Sequence, residues 1–321
     1  MTKNEWNASM WLRWLLLCCL FWSPAARAYE SRIHQELTFI AARQFNDCVL
    51  ALAEVPRLSA LDTRFLAKAN VAQAEGNFFV RMFRWNYYNP DAQQNRSTLG
   101  VIETRFHSHF NNVLKNLVQA DTRTARLRQL GRVINYVQDV TSPPHVVPVY
   151  TGRWWRLSLA DRFNQYRIDA DRVEMALQDS CDYMLDTVLV DEEQVVSPYA
   201  QILIDTAGET ITSVQGQIFG FPVTWEAYWR FADDVGDFGE YGPAGNSFGE
   251  RTEFRCGDRE RCLLLKNDPL YRDFAFDRHV AAVLATMKVL YVLQLEGDET
   301  GPDSQAQGRP SQAARGRTRA E

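Results

Sequence analysis

Three polar residues in one short stretch carry the types and spacing that can bind a cation or a phosphate. Residues 130–145 read LGRVINYVQDVTSPPH. Asn135 and Asp139 are four apart, so on a helix they share a face. His145 follows the pair Pro143-Pro144, which cannot donate backbone hydrogen bonds and is expected to stop the helix. A carboxylate one turn from a helix end and an imidazole just past a rigid corner can converge on one point. The same spacing also suits a plain amphipathic helix with Arg128, Arg132, Asn135 and Asp139 on its solvated face, and spacing alone leaves both open.

The elements that must position these residues read as helices. Leu130, Val133, Ile134, Val137 and Val140 recur at three- and four-residue steps, giving one apolar face. Helical periodicity is expected over 34–54, 61–74, 101–118, 124–140, 157–190, 197–218 and 278–295, with few strand signals. That predicts an all-α chain in which one multi-helix bundle, 29–296, buries a single large core. A glycine-rich, acidic region at about 219–271 interrupts it, and the Gly, Pro, Ser and charge content of 297–321 predicts a disordered tail.

The first 28 residues read as an export signal. Lys3 and Arg13 precede the apolar run 14–22, and Ala26-Arg27-Ala28 is a small-x-small cleavage pattern. Lipid attachment at Cys18 or Cys19 is the weaker option, because bulky leucines precede them. Cleavage before Tyr29 removes Lys3, Arg13 and Arg27 against Glu5, a net +2, so the chain charge of −5 becomes −7. An acidic surface does not capture polyanions at long range. Periplasmic or secreted localisation is expected. The four remaining cysteines then predict two disulfides. Cys256 and Cys262 bracket a polar loop that a bridge can close, which leaves Cys48 to join Cys181.

Leu130-Gly131, Tyr136, Asp139, Pro143 and His145 together resemble the central helix of the zinc-dependent phospholipase C and single-strand-specific nuclease superfamily. Residues 74–91 and the closing helix are similar to that family as well. The resemblance implies three zinc ions and hydrolysis of a phosphodiester, in a phospholipid or a single-stranded nucleic acid, with peripheral membrane contact for the lipid case. It also implies a ligand set. The third site keeps the freed amino group of Tyr29, with His34 and Asp139. The second keeps His145, but its other places fall near Ala160 and Asn164, with Asp161 as the replacement candidate. The first falls at Gly76, Asn86, Asn135 and Asp139, with Glu75 a substitute ligand or base. Asn86, Asn135 and Asn164 are thus degenerate positions, and asparagine amides are poor zinc donors. Two functions follow: a metal-dependent hydrolase with an altered site and fewer than three zinc ions, or a non-catalytic descendant, with one zinc or none, that binds a ligand or a partner.

Other candidates are weaker. His107 and His109 are two apart and face different ways on a helix. His279 begins the last expected helix. The run 233–249 has no EF-hand spacing, but with Trp225, Tyr228, Trp229, Phe238 and Tyr241 it can form a lid or binding loop. The piece RMFRWNYY, 81–88, suits a nucleic acid, a lipid headgroup or the core. No phosphate-cradling glycine loop, nucleophile elbow or H-E-x-x-H is present.

Overall fold

The computed structural model describes residues 31–51, 55–75, 88, 90, 102–147, 149, 161–178, 180, 181, 196–233, 239–258 and 260–298. The signal segment, Tyr29, Gly76, Asn86, Ala160, Phe238 and most of 81–88 lie outside them. Helices α1 (Ser31–Cys48), α2 (Ala60–Ala74), α3 (Ile102–Val118), α4 (Arg123–Asp139), α5 (Pro143–Val146), α6 (Ala170–Leu177), α7 (Pro198–Gln215) and α8 (Pro269–Asp298) carry most of the structure. Two small antiparallel hairpins, β1 (Trp229–Arg230) with β2 (Glu240–Tyr241) and β3 (Thr252–Arg255) with β4 (Arg261–Leu264), lie between α7 and α8.

Local chemistry sets the helix ends. Ser59 and Thr122 cap α2 and α4, their hydroxyls accepting from the amides of Asp62 and Ala125. Pro198 and Pro269 open α7 and α8 at the first position, where a missing N–H costs nothing. Pro143 acts likewise. Helix α4 ends at Asp139, Val140 caps it, and the prolines begin the short α5 rather than forming the stop itself. The expected 157–190 helix is overturned over 161–169 and met over Ala170–Leu177. A 3-10 turn, Phe163–Gln165, leads through non-helical residues into α6, and the Asp161 side chain accepts from the Phe163 amide. That bond offers the backbone an alternative to a helix. Helix α8 starts nine residues before the expected 278 and runs to Asp298, into the segment read as tail.

Helix α4 is central: it packs on α2, α3 and α8, while α1 packs on α2 and α8. Leu130, Val133, Ile134 and Val137 are fully buried, each contributing about 1.5–3 kcal/mol. Gly131 lets α2 approach closely, since a Cβ there would meet Leu66 O at 2.5 Å and Ala69 Cβ at 2.7 Å. Phe163, Trp225, Tyr228, Trp229, Phe248 and Phe274 build a second part of the core, with Trp225 and Phe274 4.3 Å apart. These aromatics anchor the described part of the expected lid. Helix α8 is long and apolar enough to cross a membrane, but 67% of that window is buried, which makes it the core helix. Both expected disulfides form, Cys48–Cys181 and Cys256–Cys262.

Candidate functional site

His34 from α1, Asp139 from the last turn of α4 and His145 from α5 converge. His34 Nε2 lies 3.3 Å, and His145 Nε2 3.8 Å, from the same oxygen, Asp139 Oδ1. All three are buried, as is Asn135 one turn back on α4. The solvated-face reading of Asn135 and Asp139 is therefore overturned, while Arg128 does lie in solvent. Tyr88 donates its amide to the His145 carbonyl at 2.8 Å, bringing the end of 81–88 to this corner.

A hydrogen-bonded network surrounds the three, and its directions follow from two backbone carbonyls. Thr38 donates to His34 O and Thr286 to Ala282 O, so both hydroxyl oxygens act as acceptors for Gln138 Nε2 at 3.3 and 3.1 Å. Gln138 Oε1 then faces His34 Nδ1 at 2.8 Å and accepts from Asn70 Nδ2 at 2.9 Å. Asn70 Nδ2 also donates to Thr38, and its Oδ1 accepts from Asn135 Nδ2 at 3.0 Å. The second proton of Asn135 Nδ2 points at His34 Nε2, 3.2 Å away. His34 thus carries a proton on Nδ1, while Nε2 faces both Asn135 Nδ2 at 3.2 Å and Asp139 Oδ1 at 3.3 Å and accepts from Asn135 when it is unprotonated. Orientation of each amide is forced by its neighbour rather than chosen.

Sequence reasoning missed Thr38, Asn70, Gln138 and Thr286. Gln138 had a signal: it stands four residues after Ile134, inside the apolar stripe, where a polar residue needs buried partners. Nothing in the spacing of the other three marks them.

No family model, curated protein or solved structure matches this chain. The site must be judged on its own donors.

Zinc donors in a tetrahedral shell sit about 3.3 Å apart. The His34–Asp139 spacing meets that value and the His145–Asp139 spacing exceeds it. Among the described residues, no group of three or more His, Cys, Asp or Glu side chains is arranged to hold a metal. The nitrogen that His34 would give a metal faces the Asn135 amide nitrogen at 3.2 Å. Asn164 Oδ1 accepts from Ser142 Oγ at 2.5 Å. Asp161 accepts from Trp229 Nε1 and Tyr241 Oη, both at 2.9 Å, so it anchors the β1–β2 hairpin instead of replacing a ligand. Glu75 is exposed at the C-terminal end of α2, outside the buried cluster.

Burial, then the Asp139 carboxylate, push the Tyr136 phenol well above its usual range, so it stays protonated beside the centre. Its oxygen accepts from Gln73 Nε2 at 3.2 Å. His109 is partly buried on α3, and the side chain of His107 lies outside the described residues. His279 is buried on α8 near Phe163, and burial pushes its pKa down to about 3.

Proposed function

We propose that this protein is a non-catalytic descendant of the phospholipase C and nuclease fold, in which the metal centre has become a hydrogen-bonded core and the scaffold serves as a ligand-binding protein of an oxidising compartment. The carrying observation is the Asn135 amide nitrogen, a donor, 3.2 Å from His34 Nε2, where a metal-binding site needs a free electron pair. Histidine at that position offers an electron pair, whereas asparagine here offers a proton. Asn164 hydrogen-bonded to Ser142, and Asp161 to two aromatic donors, support the same reading. Two disulfides fit the expected export.

A second reading keeps the hydrolase. It is favoured by two imidazole nitrogens gathered on one oxygen of Asp139. With the Tyr29 amino group, these residues would hold a reduced zinc set. One experiment separates the two. The mature, tag-free protein is assayed for metal by plasma mass spectrometry, and for cleavage of phosphatidylcholine and of single-stranded DNA with and without chelator. The first reading expects at most one zinc per chain and no chelator-sensitive cleavage. Two or three tightly held zinc ions with chelator-sensitive turnover would overturn it in favour of the second.

A further inference from the structure

A cavity of about 670 Å³ lies between the 3-10 turn, the residues leading into α6, and the start of α8. Its volume is that of a small-molecule site. Four arginines line it, Arg162, Arg167, Arg172 and Arg272, against two carboxylates, Asp169 and Glu250. The local charge is positive on a chain whose net charge is −5. Two of the arginines are already neutralised. Arg162 pairs with Glu250, and Arg172 pairs with Asp273 at 2.9 Å while lying 3.9 Å over the ring of Phe276. Asp169 is occupied as the N-cap of α6. Among the described residues, neither Arg167 nor Arg272 has an ion-pair partner, and both are exposed at the cavity.

We infer that this cavity binds a small organic phosphate, its head held by Arg167 and Arg272 and its flat or apolar body against Tyr166, Phe248 and Phe276. A phosphate offers three terminal oxygens and up to two charges to two guanidiniums from different elements, one more oxygen and one more charge than a carboxylate. The aromatic walls supply area for a body that inorganic phosphate lacks. Gly249, at φ 83°, lies 3.0 Å from the Tyr166 ring at its would-be Cβ, so a side chain there would crowd that wall. The site stands apart from the Asp139 centre and holds whether or not that centre binds metal.

The test is calorimetric titration of the mature protein with phenyl phosphate, inorganic phosphate, phenol and benzoate. Phenyl phosphate binds in the micromolar to millimolar range, and the other three bind at least about tenfold more weakly. The double variant Arg167→Ala/Arg272→Ala loses at least about tenfold in affinity with its thermal midpoint unchanged, because both side chains are exposed. Asp139→Asn leaves the affinity unchanged, which separates this site from the polar centre. Any of three results overturns the inference: no binding of phenyl phosphate at 5 millimolar (about the weak limit of the method), equal binding of benzoate or phenol, or undiminished binding by the double variant.

Discussion

At the scale of single residues, the polar centre behaves as a closed circuit of donors and acceptors, and cutting it has a defined cost. Asn135→Ala removes the donor from both Asn70 Oδ1 and His34 Nε2, which are buried. A loss of about 1–3 kcal/mol in unfolding free energy is expected, read from urea denaturation. If the variant instead matched the parent, the network would contribute nothing to stability. His279 gives a second residue-scale expectation. Its folded pKa is depressed by burial to about 3, below the usual 6.5, so the unfolded chain binds the proton more readily. Its contribution is therefore complete above pH 6.5 and is lost as pH falls from there toward 3. The melting temperature should drop over that window, and His279→Gln should flatten the slope. A slope identical in both proteins would remove His279 as its source. Asp139 and His145 were legible in the sequence because a four-residue step and a proline corner fix direction. The donor role of Asn135 was not, because it depends on Asn70 from α2 and on Gln138 from its own helix, whose amides are oriented by buried hydroxyls.

At the scale of elements, the approach of α2 to α4 decides whether that circuit can close. Gly131 has no space for a Cβ against the α2 backbone, and Asn70 is one of the residues nearest it. Gly131→Ala should force the helices apart and cost about 1–3 kcal/mol, with Asn70 drawn away from Asn135. Chemical denaturation, together with side-chain amide shifts of Asn70 and Asn135 in NMR spectra, measures both. A stability gain, as ordinary helix propensity would give, refutes the tight approach. The long helices were legible because their apolar residues keep one period. The segment 161–169 was not, since Asp161 draws the Phe163 amide into a local turn and Asn164 turns inward to Ser142. The strands escaped notice because each is only two or four residues long, too short for alternation to register.

At the scale of the molecule, the Cys48–Cys181 bridge ties α1 to the chain beyond α6 across 133 residues. Chain entropy assigns a loop of that length about 5 kcal/mol, against about 2 kcal/mol for the Cys256–Cys262 loop. Cys48→Ser/Cys181→Ser should therefore lower the melting temperature more than Cys256→Ser/Cys262→Ser. The reverse order, measured by calorimetry, would show that strain or residual unfolded structure outweighs loop length. The bundle-wide helical fold was legible from periodicity, and the cysteine pairing from the short spacing of one pair.

Helix α8, the last described element, packs against both α1 and α4. A growing polypeptide therefore lacks this part of its interior until residues 269–298 have been made. Thr286, which fixes the direction of Gln138, arrives with it. Ribosome-bound chains truncated before residue 269 should stay protease-sensitive throughout.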